Sequence, residues 1–154
     1  MQQNYKNIFA TLPEHSRVWI YLSHRIFTKE ESKIILNEVD SFVSSWKAHQ
    51  KSLNASGTIL LDRFLIFAVD EETEAVSGCS IDSSVNFVKS IGQRFGIDFF
   101  NRLNMLVIKN GEPTLISFHE LNSFQEEQIF NPNVNSLRDL RQNWIIPVKE
   151  SPFI

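Results

Sequence analysis

Between Phe64 and Val69 the chain reads Phe-Leu-Ile-Phe-Ala-Val, and this run decides most of what the sequence can fold into. Six residues fall far short of the roughly 20 that a membrane-spanning helix needs. They match the length of a strand, and both the odd and the even positions are apolar, as in a central strand covered on its faces. The chain around it has 154 residues, 42% of them hydrophobic, which is enough for one domain with a sizeable core. Thirteen Phe make that core one of large, stiff rings, and only five Gly and five Pro argue against linker-rich or disordered classes. The opening Met1-Gln2-Gln3-Asn4-Tyr5-Lys6 lacks the basic-then-apolar layout of a secretory signal, and a single Cys forms no internal disulfide. Both features lead to the expectation of a cytoplasmic protein with no membrane association.

The remaining elements follow from local signals. Val18–Leu22 is β-branched and aromatic and reads as a strand. Thr28-Lys29-Glu30-Glu31 is a capping box opening a helix, with Ile35, Val39, Phe42, Val43 and Trp46 along one apolar face. Residues 57–61 and 64–70 form two strands, or one long strand bent at Asp62-Arg63. Ser80 or Asp82 caps a second helix bearing Ile81, Val85, Val88, Ile91 and Phe95, stopped by Arg94 and Gly96. Asn110-Gly111 predicts a hairpin turn between residues 103–109 and 113–117. A second capping box, Ser117 to Glu120, opens a third helix. Residues 136–143 suggest one or two helical turns, and Trp144–Val148 an extended stretch packed on the domain. The order predicts an α+β fold: a two-layer sandwich with a mixed or antiparallel sheet of about five strands and helices on one face. It is a single domain over 1–154, with 1–16 and 149–154 as terminal segments.

The net charge is −3, and the basic stretches are short, which argues against a nucleic-acid backbone as partner. No Gly precedes a Lys, so there is no P-loop and no P-loop ATPase activity is expected. Gly92-Gln93-Arg94-Phe95-Gly96 closes a helix instead of opening one, unlike a dinucleotide fingerprint. The four His stand at no metal-binding spacing, one Cys excludes a structural zinc site from sequence-adjacent ligands, and Asp70–Glu74 lacks the layout of a calcium loop. No metal and no cofactor is expected.

The chemically richest segment is Ser77-Gly78-Cys79-Ser80-Ile81-Asp82-Ser83-Ser84. At a helix entrance, free amides and the helix dipole favour an anion or a thiolate. Gly78, Cys79, Ser80 and Asp82 are therefore candidate ligand-binding residues. Arg25, Arg63 and Arg102 each adjoin a strand end, where a guanidinium could meet the same ligand; Arg25 and Arg63 complete the candidate set. Cys79 is a weaker candidate nucleophile, dependent on His24 or His49 as base. The plainer reading has Ser80 as a cap, Asp82 as a first-turn acid, Cys79 as a small buried hydrophobe and the arginines in surface ion pairs.

Residues 18–27, the Phe42…Trp46-Lys47-Ala48-His49 segment, Arg63–Glu71 and Ser77–Val85 together resemble a small bacterial family of about this length, often labelled "ABC transporter ATPase". The resemblance spans roughly residues 17–148, with Ser-Gly-Cys-Ser-Ile-Asp its most specific piece. The Walker A lysine of such an ATPase is missing here, so what the resemblance implies is a single intracellular bacterial domain. The expected function is a small soluble binding module with an anionic-ligand site at the entrance of the second helix. The alternatives are a structural or interaction protein, acting as homodimer or subunit through a sheet edge or the Pro152-Phe153-Ile154 tail, and a Cys79-dependent enzyme.

Overall fold

The computed structural model describes residues 2–154. Strand β1 (Arg17–Leu22) pairs with β5 (Phe64–Asp70), which pairs on its other side with β4 (Asn54–Leu60), giving an antiparallel sheet of order β1-β5-β4. Leu61 and Asp62 both take positive φ and close the β4–β5 hairpin opposite the Leu60–Phe64 pair. The stretch is thus two strands and not one bent strand. Between β1 and β4 lie helix α1 (Lys29–Ser45) and a short ribbon of β2 (Lys47–Ala48) and β3 (Lys51–Ser52). The capping box at Thr28 forms as its sequence predicts, with Glu31 closing it.

Helix α2 (Gly78–Phe95) follows β5 and ends at Gly96 in the left-handed conformation. Strands β6 (Asn104–Lys109) and β7 (Glu112–Ser117) meet at the Asn110-Gly111 turn, where both residues have positive φ. The Ser117 capping box opens a 3-10 segment, Phe118–Phe124, and not a full α-helix. Strand β8 (Gln128–Phe130), helix α3 (Leu137–Asn143) and β9 (Ile145–Pro147) complete an antiparallel sheet of order β7-β6-β8-β9.

The class is α+β. The expected single sheet of about five strands is corrected: the strands divide among antiparallel sheets of three, two and four. The physical reason lies in β5 and β6. Leu65, Phe67 and Val69 point from one face of β5 into a core with Ile35 and Val39 of α1 and Val88 and Ile91 of α2. Phe64, Ile66 and Ala68 point the other way, onto Leu106 and Ile108 of β6, Phe130 of β8 and Trp144. On the far side of β6, Met105 and Val107 pack with Ile116, Leu121, Ile129 and Val148. Helices cover one face of the three-stranded sheet, as expected, but its other face is equally apolar and needs the four-stranded sheet as a lid. Each fully buried Leu, Ile or Phe in these layers contributes about 1.5–3 kcal/mol relative to exposure.

The chain before β1 also belongs to this packing. Ile8 and Leu12 are buried, and Arg141 of α3 donates to the carbonyls of Ile8 and Phe9. Gly57 on β4 lets α1 approach closely, since a Cβ there would stand 2.6 Å from Cγ1 of Val39.

Candidate functional site

The entrance of α2 is built from serines. Ser77, in extended backbone, is the cap; its hydroxyl accepts from the Ser80 amide at 3.1 Å, and the Ser77 amide donates to the Ser80 hydroxyl at 2.6 Å. The expectation of a cap at Ser80 or Asp82 is thereby corrected. The helix starts one turn earlier because Ser77 and Ser80 satisfy each other's amides. Ser80 is buried, and its carbonyl accepts from Nε1 of Trp46 at 2.8 Å. Gly78, Cys79 and Asp82 are exposed, and nothing lies within 4 Å of the position a Cβ would take on Gly78. Cys79 is therefore not a buried hydrophobe. Its carbonyl accepts from the Ser83 hydroxyl, and among the described residues no His bonds its thiol.

Arg25 and Arg63 lie elsewhere. Arg25 holds Glu31 through two bonds of 2.8 Å and donates to the Phe95 carbonyl at 2.6 Å. Phe95 ends α2, so Arg25 and Cys79 stand a helix length of about 25 Å apart. Arg63 immediately precedes β5 while the α2 entrance follows its end, a separation of about 20 Å along the strand. Only 9% of Arg63 is exposed; among the described residues its Nε has no hydrogen-bond partner, and burial pulls its pKa below the usual arginine value. The structure does not gather these six residues into one site.

A different place concentrates concavity and polarity. Along β1, between the two large sheets, runs a crevice of about 580 Å³. Ile20, Tyr21 and Leu22 line it together, although Tyr21 and its neighbours belong to opposite faces of the sheet. Residues of both faces meet one cavity only where it wraps a strand's edge. Val85, Phe99 and Phe100 form the wall on the α2 side, and Asn104, Met105, Pro132 and Asn133 the wall on the β6 side. A smaller apolar pocket of about 50 Å³ shares Ile20, Leu22, Asn104, Met105 and Pro132 with it and reaches Phe64, Leu106, Phe130 and Trp144.

The crevice carries positive charge in an acidic protein. Arg102 lines it, no Asp or Glu does, and among the described residues the Arg102 side chain stands in no ion pair or hydrogen bond. Tyr21 stacks edge-on against Phe67 and Phe100. Burial pushes its hydroxyl above the ordinary tyrosine pKa, which keeps it a proton donor, while the Ser84 hydroxyl works weakly against this. Asn101, Asn104 and Asn133 add amide groups. An apolar trough with a few polar groups and one free guanidinium is the usual make-up of a small-molecule site.

Of these residues the sequence singled out Arg102, from its place before a strand, and Phe153, as part of the apolar tail. Tyr21 reads as an ordinary strand residue, and nothing marks Asn133 until residues 20–22, 85, 99–102, 104–105, 132–133 and 153 are brought together. Two other clusters also form across the chain. His24, Lys89, Gln93, Asp98 and Phe100 line a shallower groove of about 500 Å³, where the Asp98 amide donates to Nδ1 of His24 and Lys89 lies 5.9 Å from the centre of the Phe100 ring. His15, Asp70 and Glu72 bring their polar atoms within 4.8 Å of one another, a grouping their spacing hides; His15 lies 3.4 Å from Glu72, and Asp70 accepts the Glu72 amide. This surface cluster sets an imidazole beside two carboxylates at a turn. Among the described residues no helix is long and apolar enough to cross a membrane. Neither protein-family models, nor curated proteins, nor solved structures contain a match to the chain.

Proposed function

We propose that the protein is a binding module for a small ligand with an apolar body and an anionic group, held in the crevice along β1. The observation that carries this reading is the pairing of apolar walls with an unpartnered Arg102 and no acidic lining residue. Arg102 takes the anionic group through its forked N–H donors, and the Tyr21 hydroxyl and the asparagine amides orient the polar end. Ile20, Phe99, Phe100 and Met105 take the apolar body. The expected ligand class is thus kept, while its site moves from the α2 entrance to the sheet junction. Nothing in this reading requires a nucleophile, a metal or a cofactor.

Calorimetric titration with 3-phenylpropionate and its carboxamide tests it. The acid binds, and the amide, without the charge, binds about tenfold or more weakly, as the loss of a charged hydrogen bond predicts. Arg102→Gln reduces the acid's affinity to that of the amide and leaves the amide unaffected. Equal binding of acid and amide, or no effect of R102Q, overturns the reading.

A second reading, an interaction protein working as homodimer or subunit, has its own observation. Leu103 (48% exposed) and Phe118 (37%) are joined by a backbone bond, and Phe118 meets the Phe153 ring that lines the crevice. The rim is therefore apolar. Sedimentation equilibrium decides this: a concentration-dependent dimer that Phe118→Ser dissociates favours it, and a monomer at millimolar concentration removes the dimer.

A further inference from the structure

We propose that the crevice takes the carboxyl-terminal end of an extended peptide, added as a fourth strand to the open edge of β1, with Arg102 holding the terminal carboxylate. This rests on the reading of the crevice as an anionic-ligand site and narrows its ligand class.

The inner edge of β1 is fully engaged with β5, and among the described residues its outer edge has no paired strand, only an isolated bridge between Arg17 and Ser136. Its outer edge is engaged at both ends and open between them. At one end the Val18 amide donates to the Asn135 carbonyl at 3.0 Å, and the Leu137 amide donates to the Ser16 carbonyl at 2.9 Å. At the other, the His24 amide donates to the Asp98 carbonyl at 3.0 Å, while the preceding Ser23 amide turns inward to Arg63. Backbone groups along a strand alternate sides with a period of two, so those of Ile20 and Leu22 face outward like those of Ser16 and Val18. Among the described residues none of these four groups takes a backbone partner. They open onto the crevice that Ile20, Tyr21 and Leu22 line.

An open strand edge set in a trough is the geometry in which extended peptides add by main-chain bonding. The gap is short. From Ile20 to Leu22 is about 7 Å, which three residues of an added strand span. Because the Asn135 and Asp98 contacts close both ends, a continuing chain would have to enter and leave within those three residues. A chain end has to leave only once. The charge agrees, since a terminal carboxylate is the anion such an end carries and Arg102 is the unpaired cation in the wall. An apolar side chain of the added strand on the inner face points toward the small pocket among Phe64, Leu106, Phe130 and Trp144.

The test uses the full chain, labelled with ¹⁵N, and three probes. The first is a panel of acetylated tripeptides with free carboxyl ends in Val, Leu or Phe. The second is the same panel N-methylated at alternate amides, and the third is 3-phenylpropionate. At saturation the free-acid peptides slow hydrogen exchange of the Ile20 and Leu22 amides about tenfold or more. The Trp19 and Tyr21 amides, already facing β5, change little. N-methylation lowers affinity about tenfold or more, and phenylpropionate binds without protecting either amide. If the peptides bind no better than phenylpropionate and leave Ile20 and Leu22 unprotected, strand addition is overturned while the anionic-ligand site stands. If neither peptide nor phenylpropionate binds, both readings are overturned.

Discussion

Arg25 and Glu31 form a bidentate pair at 2.8 Å that ties together the start of one helix and the end of another. Glu31 also closes the capping box of α1 by accepting the Thr28 amide, and Arg25 reaches the Phe95 carbonyl where α2 stops. The bonds from Arg25 and then from Thr28 hold the Glu31 carboxyl at about 2, against an ordinary value of 4.5. Because folding lowers this pKa, the stability it adds is complete above about pH 4.5 and is lost as pH falls toward about 2. At pH 7, Glu31→Gln therefore lowers stability by about 1 kcal/mol, a cap and a solvent-screened ion pair being worth no more. Urea denaturation at pH 7 and pH 2.5 checks this: the gap between the two proteins narrows in acid.

The approach of α1 to β4 depends on Gly57. An added methyl would stand 2.6 Å from one Val39 methyl, 3.2 Å from Val43 and 3.3 Å from Phe67. Gly57→Ala destabilises by about 1–3 kcal/mol, as overpacking does. At Gly78 a Cβ meets nothing within 4 Å, so Gly78→Ala leaves stability unchanged or raises it by up to about 1 kcal/mol. Denaturant midpoints of the two variants should move in opposite directions, or only that of Gly57→Ala should move.

Asp62, next to Arg63 in the chain, gives its carboxylate to Ser32 and Lys29 instead. Among the described residues Arg63 thus has no acidic partner, and its Nε is buried without a hydrogen bond. Replacing a side chain whose Nε is buried and unpaired with an apolar one of similar length removes an unsatisfied polar group. Arg63→Met raises stability by about 1 kcal/mol, or about 2–4 °C in Tm for a chain of this size. Calorimetry checks the direction, and a fall in Tm would show that the guanidinium has a partner on which folding depends.

Local chemistry was legible in the sequence, and relations between distant segments were not. The Thr28 and Ser117 capping boxes, the Asn110-Gly111 turn and the apolar stripe of α1 each lie within a few residues, and each forms. The cap of α2 was placed three or five residues too late because Ser77, Ser80 and Asp82 are all good caps, and only backbone geometry selects Ser77. The doubly apolar Phe64–Val69 run contained the information that a layer covers each face. A single sheet with helices on one side would have left Phe64 and Ile66 in water, which the four-stranded sheet prevents. Arg25, read as a ligand group, is consumed by Glu31 six residues away. The crevice draws on five separated stretches, so residue type alone gave only Arg102 as a ligand group and Phe153 as part of an apolar tail.

Amide chemical-shift mapping with 3-phenylpropionate measures directly where an anionic ligand goes. We expect shifts concentrated at Tyr21, Leu22, Phe100, Arg102, Asn104 and Asn133, with Gly78, Cys79 and Ser80 unmoved and Cys79→Ser binding as the native chain does. Shifts centred on Gly78–Ser80, with residues 20–22 and 100–104 silent, would contradict the crevice assignment and return the site to the entrance of α2.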